Sequence, residues 1–274
     1  MTQDLTPVPD TATARDYWTE FAPCFQSHLE PTTVKLASIL HDHLRLETAT
    51  SVLEVGAGAG EAARRLTFRM VETRRLVVTD LSPEMVRRAR IKLPPHVEVE
   101  EADCVALPYD DSTFDRYISN LSLMLVPDAR LAVEEARRVL APGGRAAWSV
   151  WGRPEHSPMM TIVPRAAEAV GVTLPQAERS NFYLGAPGVL VELLRNAGFQ
   201  HVRTWYVPMV LDVLTGEECV RVLLEGSPYL QGALADKPRQ QVDALRERAT
   251  LIAQGVLDRG EAIALEAMVA IAER

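Results

Sequence analysis

Ser51-Val52-Leu53-Glu54-Val55-Gly56-Ala57-Gly58-Ala59-Gly60-Glu61-Ala62-Ala63 decides how the rest of the chain is read. Ser51–Val55 is a short apolar run of strand type, the glycines form a turn, and a helical pattern runs from Glu61 to Met70. Gly56, Gly58 and Gly60 tolerate positive φ and leave no side chain between the backbone and a ligand. A dinucleotide loop is written G-x-G-x-x-G, with the pyrophosphate seated on the helix N-terminus. Here the last glycine comes one residue early, and Glu61 stands where that glycine belongs. A carboxylate in the first turn suits the helix dipole but repels a diphosphate. Glu54 adds a second negative charge just before the turn. The loop therefore fits a phosphate-free ligand with a cationic amino group.

Working outward, Leu76–Thr79 is a second strand, and Pro83–Lys92 is a helix with Ser82 as N-cap and proline in its first turn. Asp80 ends that strand, 20 residues after Gly60, where an acid accepts hydrogen bonds from ribose hydroxyls. Val97–Glu100 reads as a weak third strand and Arg116–Ser119 as a fourth. Asp128–Leu140 is a helix with apolar positions at Leu131, Ala132, Val139 and Leu140, stopped by Ala141-Pro142-Gly143-Gly144. Arg145–Val150 is the fifth strand. This alternation specifies a parallel sheet covered by helices on both faces, with ligands at the carboxyl ends of the strands. Beyond it, Gly188–Asn196 reads as a helix ended by Gly198, Val202–Leu211 as a strand, and Thr215–Leu224 and Arg239–Ala253 as helices. Ala262–Ile271 fits helix or strand. Before the sheet, Tyr17, Trp18, Phe21 and Phe25 recur at near-helical spacing and mark a helical cap.

The 274 residues are 47% apolar and carry a net charge of -8, which suits a cored globular chain and disfavours binding to a nucleic-acid backbone. No apolar run approaches the roughly 20 residues of a membrane span. Met1–Thr13 has no apolar stretch of a secretory leader. The three cysteines, Cys24, Cys104 and Cys219, are far apart and form no zinc spacing, so reduced thiols, a cytoplasmic location and no metal are expected. There is no internal repeat.

Strand, E-x-G-x-G-x-G, helix, strand and acid in this order resemble the class I S-adenosylmethionine-dependent methyltransferases. Within them, the chain is similar to the small-molecule branch that includes the ubiquinone and menaquinone C-methyltransferases. Leu107-Pro108-Tyr109-Asp110-Asp111-Ser112-Thr113-Phe114-Asp115 matches that branch's LPF-x-D-x-x-FD stretch with Tyr for Phe, and Ala141-Pro142-Gly143-Gly144 matches its turn before strand five. The resemblance covers about residues 50 to 151 well and the tail more loosely. It implies an α/β three-layer Rossmann-like fold with a mostly parallel seven-stranded sheet in the order 3-2-1-4-5-7-6. Val202–Leu211 and Ala262–Ile271 supply strands six and seven. It also implies S-adenosyl-L-methionine as cofactor, held by Glu54, Gly56, Gly58 and Gly60, by Asp80 at the ribose and by Leu81 on the adenine face. Asp103 and the Cys104 backbone would meet the adenine edge, and Asn120 would lie near the methionine end. The domain plan is a helical cap or lid at 1–45, a core at 46–211 and 259–274, and a helical insert at 212–258 over the acceptor.

Methyl transfer from a sulfonium needs alignment and water exclusion, with a base only where the acceptor must lose a proton. The segment after strand four, Ser119–Pro127, is almost wholly apolar, which points to a small acceptor with an apolar or aromatic body, methylated at oxygen or carbon. Ordinary core packing explains the same residues. His156, in the loop after strand five, is the candidate base. Tyr17, on the helical lid, is the second catalytic candidate, while Arg153 is a candidate for an acceptor carboxylate and Met159 and Met160 for the pocket wall. Two other readings remain open: a binding module that keeps the donor and methylates nothing, and an NAD-dependent dehydrogenase. The dehydrogenase lacks its loop pattern, and none of Lys35, Lys92 and Lys237 follows a tyrosine by four residues. The expected partner is a small molecule rather than nucleic acid, and a homodimer is compatible with the sequence.

Overall fold

Seven segments extend side by side in the computed structural model, which describes residues 5–6, 10–70, 74–177 and 179–274. They are β1 Ser51–Val55, β2 Arg75–Asp80, β3 Glu98–Glu101, β4 Phe114–Asn120, β5 Leu140–Trp151, β6 Gln200–Val210 and β7 Ala264–Glu273. Their order is β3-β2-β1-β4-β5-β7-β6. The first five pair in parallel and β7 runs antiparallel to β5, which is the expected order 3-2-1-4-5-7-6. The central strands are apolar on both faces, with Val52, Leu53, Val77, Ile118 and Ala147 fully buried, as helices on both sides require. The ambiguous segment 262–271 is a strand. Its alanines and Met268 favour a helix locally, but pairing with β5, Trp148 opposite Ala270, overrides that preference.

The helices are α1 Thr11–Cys24, α2 Glu30–His43, α3 Glu61–Thr67, α4 Pro83–Lys92, α5 Ala129–Val139, α6 Pro158–Ala169, α7 Val189–Asn196, α8 Gly216–Glu225, α9 Pro228–Ala235 and α10 Arg239–Asp258. Ser82 caps α4 through the Met85 N–H, and Asp128 caps α5 through the Arg130 and Leu131 N–H groups. α5 buries Ala132, Val133, Ala136 and Val139, one face at helical spacing. Leu131, expected on that face, is 38% exposed. α3 stops at Thr67, three residues before the expected end, and Phe68 lies exposed beside Arg64. The Leu107–Asp115 motif is structural. Arg138 donates to the carbonyls of Leu107 and Tyr109, and Asp115 accepts the Thr50 N–H that leads into β1.

Two compact units form. One holds residues 10–151, Asn181–Val207 and Ala267–Arg274, and so contains α1 and α2 together with the sheet. The other holds Gly152–Ser180, Pro208–Glu266 and the two-residue strand Leu5–Thr6. This second unit has its own core, where Ile162 and Ala166 of α6 meet Cys219 and Leu223 of α8 and Leu245, Ala249 and Ala253 of α10.

α2 carries one costly group. His41 is 2% exposed, neither ring nitrogen has a partner, and burial, helped by Arg69, pushes its pKa down to about 4. The unfolded chain takes up this proton near pH 6.5, so stability falls as pH drops from there toward 4. His41→Leu should remove about 2 kcal/mol of the stability lost between pH 7 and pH 5. Denaturant midpoints at the two pH values check this, and a wild-type-like acid loss in the variant counts against it.

Candidate functional site

The glycine loop leaves the carboxyl end of β1 and turns into α3. Its backbone takes φ of +60° at Gly56 and +59° at Gly58, the left-handed region where a β-carbon is strained. Neighbours also crowd the space a side chain would need. A β-carbon on Gly56 would lie 2.6 Å from the Ser122 Cβ, and one on Gly58 would lie 2.6 Å from the Phe25 ring. Gly60 lets α3 approach α4, since its β-carbon would lie 2.9 Å from the Ala89 Cβ. The Ala57 N–H donates to the Thr79 carbonyl at 3.0 Å, tying the loop to β2.

Asp80 completes that tie. One carboxylate oxygen accepts the Gly58 N–H at 2.8 Å and the other accepts the Ser82 N–H at 2.9 Å. Burial raises its pKa, while the N–H groups of Ser82, Gly58 and Leu81 oppose the rise by favouring the carboxylate. A carboxylate has about four acceptor sites, so each oxygen keeps capacity for a ligand hydroxyl. At the neighbouring strand end the Asp103 carboxylate accepts the Val105 N–H at 3.1 Å, and Cys104 is half-buried with its thiol pushed up to about 12 by burial and by Asp103. A thiol raised this far stays protonated at neutral pH.

Glu54 is 1% exposed and its Oε2 has no partner. Burial, reinforced by the nearby Glu30 carboxylate, raises its pKa to about 8. A buried carboxyl oxygen without a partner, next to a loop of glycines and alanines that offers no polar side chain, fits the ammonium group of an amino-acid-bearing ligand. Glu30 performs a different task. Its Oε1 accepts the Glu61 N–H at 2.9 Å, and its Oε2 pairs with Lys92 at 2.6 Å. The first amide of α3, where a dinucleotide's pyrophosphate would sit, already holds a carboxylate.

The cap lies on this loop. Trp18, Ala22 and Phe25 pack with Ala59 and Met85, the Thr19 and Ser82 hydroxyls are 3.1 Å apart, and Arg15 pairs with Glu101. Pro23 and a π-helical turn at Phe25–Leu29 separate α1 from α2. Tyr17 is 49% exposed and stacks on Phe21, with its hydroxyl pKa raised by burial and by Cys24. Asn120 is anchored at both ends of its amide, as described below. Leu121, Leu123 and Met124 are buried.

The second unit holds His156, exposed on the short turn Pro154–His156. Arg153 is engaged there by Glu266, Nε to Oε1 and Nη2 to Oε2 each at 2.8 Å. Met159 packs on that unit's core. Sequence reasoning brought Glu54, Asp80, Asp103 and the three glycines to one end of the sheet. It missed Glu30, the Phe25 ring above Gly58, and Ser149, because each acts through a contact distant in sequence. Only the aromatic spacing of the cap hinted at one of them.

Residues 53–148 match the family described as a methyltransferase domain. The ubiquinone/menaquinone biosynthesis C-methyltransferase UbiE of Enterobacter sp. (strain 638) is 29% identical over 133 residues, covering 44% of this chain and 53% of that one. The 27-O-demethylrifamycin SV methyltransferase of Amycolatopsis mediterranei (strain S699) is 35% identical over 126 residues, covering 43% and 45%. The chain thus spans about half the length of these curated relatives. Among solved structures, the [4+2]-cyclase SpnF aligns over 99% of both chains with a TM-score of 0.61 at 18% identity. A phosphoethanolamine N-methyltransferase 2 of Haemonchus contortus, solved with phosphomonomethylethanolamine and S-adenosylhomocysteine, aligns over 97% of this chain and 60% of that one, with a TM-score of 0.57 at 15% identity.

Two variants test the cleft. Asp80→Ala should weaken S-adenosylhomocysteine binding in calorimetry by about 1.5–3 kcal/mol, because it removes charge-assisted hydrogen bonds. Unchanged affinity would remove Asp80 from the site. Gly58→Val should abolish binding, since the new side chain is both strained at positive φ and in collision with Phe25.

Proposed function

We propose, from the premise that the sheet domain of this chain belongs to the class I S-adenosylmethionine-dependent methyltransferases, that the chain transfers a methyl group to oxygen or carbon of a small apolar or aromatic acceptor. The observation that carries this reading is the unpartnered oxygen of Glu54 beside the bare glycine loop, with Asp80 at the adjacent strand end. These groups fit the amino and ribose parts of S-adenosyl-L-methionine, while Glu30 at the start of α3 speaks against a dinucleotide. When bound, that cofactor supplies an activated methyl on a sulfonium.

The chain's own residues then have three tasks. Glu54, Asp80 and Asp103 orient the donor. The cap, through Trp18 and Phe25, keeps water from it, so this segment is the lid. The half-buried Leu125 and Val126 at the end of the apolar turn give the acceptor a dry surface, where alignment alone can lower the barrier by about 7–11 kcal/mol. Tyr17, with its pKa raised, stays protonated at neutral pH and serves as a hydrogen-bond donor to the acceptor rather than as a base. His156 is the proposed base for acceptors that must lose a proton.

One further reading draws on the same apolar turn. With no ionisable side chain between Ser119 and Val126, the cleft also suits a module that binds the donor without using it. Incubation with S-adenosyl-L-methionine and a panel of phenols, quinols and apolar carboxylic acids separates the two. Acceptor-dependent S-adenosylhomocysteine supports transfer, and binding without product supports the module.

Glu54 gives the proposal a pH signature. The folded chain holds this proton up to about pH 8, whereas an ordinary glutamate releases it near 4.5. Between those values the folded state binds more protons, so rising pH lowers stability. Donor binding works in the opposite direction. An ammonium group favours the ionised carboxylate, so S-adenosylhomocysteine affinity should climb from pH 6 to 8 in the wild type and stay flat in Glu54→Gln. A flat wild-type profile would detach Glu54 from the ammonium. For His156, the variant His156→Ala should lower turnover of acceptors that must lose a proton by about 10²-fold or more, and unaltered turnover withdraws the base.

A further inference from the structure

Ser149 lies on β5, is fully buried, and faces the end of β4. Its hydroxyl makes two bonds whose directions can be deduced. The Leu121 N–H donates to Ser149 Oγ at 2.9 Å, so this oxygen is an acceptor there. Its single O–H is left to donate to Asn120 Oδ1 at 2.7 Å. The opposite end of the Asn120 amide donates to the Thr33 carbonyl of α2 at 3.2 Å. A carbonyl can only accept, so both neighbours require the same amide orientation. Asn120 is thereby fixed with its oxygen toward Ser149 and its nitrogen toward the cap, and that nitrogen keeps a second N–H.

The backbone beside it is unusual. Leu121 has φ of +53° and is 8% exposed, a bulky side chain in a region that favours glycine. Its N–H also reaches the Ser149 carbonyl at 3.0 Å, so one residue of β5 holds the strained position from both its main chain and its side chain. The strain stands immediately after Asn120, at the carboxyl end of the sheet beside the glycine loop, whose Gly56 touches Ser122.

We propose that Ser149 is a positioning residue for the donor site, setting the Asn120 amide so that it presents an N–H to the donor's amino-acid end. This inference rests on the reading of the cleft as a donor site. Ser149 does not itself touch the ligand. Its effect passes through Asn120, and the two side chains should act as one.

Calorimetric binding of S-adenosylhomocysteine to the full chain tests this. Asn120→Ala and Ser149→Ala should each weaken binding by about tenfold. The double variant should be no weaker than Asn120→Ala alone, because Ser149 then has no amide to set. Losses that multiply, or Ser149→Ala within twofold of the wild type, overturn the proposal. Should Ser149→Ala fail to fold, Leu121→Gly is added in the same chain, since glycine accepts the left-handed backbone without the clasp. A folded Ser149→Ala/Leu121→Gly chain that still binds weakly supports the role through Asn120. One that regains wild-type affinity reduces Ser149 to backbone support and overturns it. A wild type that does not bind the probe at all sinks the donor-site reading and this proposal with it. A wild type that binds, matched by Ser149→Ala, sinks this proposal alone.

Discussion

The carboxylate of Asp80 is the constraint on which the cleft depends. A glycine-rich turn has little of its own to hold it, and this one adopts positive φ at three positions, Gly56, Gly58 and Gly60, that have no side chain to pack. Two N–H donations, from Gly58 and from Ser82, fasten the turn and the start of α4 to the same strand end. Without that carboxylate the loop would lose its anchor and α4 a neighbour of its capping residue. The same group thus shapes the loop and keeps capacity to take a ligand. Its raised pKa reflects the cost of burial, opposed by the amides around it.

Much of this could be read from local pattern. Glycines at alternate positions after a strand, an acid at the end of the next strand and a Ser-Pro helix start are all contiguous signals, whereas the sheet order came from the family resemblance those signals carried. The failures have physical causes. α6 contains Pro164, a residue that normally interrupts a helix, so pattern reading does not continue through it. The last strand is rich in alanine, glutamate and methionine, and only its neighbour β5 makes it extended. The contacts that organise the cleft are longer in range still. Glu30 reaches Glu61, Phe25 reaches Gly58, and Ser149 reaches Asn120, and no periodicity records such a meeting. Leu131 shows the reverse case, an apolar residue on a polar face that costs little to expose.

The similarity to known proteins is concentrated where the physics is most restrictive. The matched residues 53–148 run from β1 into β5, the part that must form a sheet and a glycine loop together. The cap before them and the helical unit after them lie outside that match. A [4+2]-cyclase sharing the fold over its full length illustrates that the scaffold alone does not set the chemistry.

The opening of α3 is a place where an anion is ordinarily favoured, because its first amides point outward without partners. By lodging its own acidic side chain on the opening amide of α3, the protein fills the berth a phosphoryl group would claim. The occupant comes from the preceding helix rather than from the glycine loop, and its other carboxylate oxygen is held by Lys92.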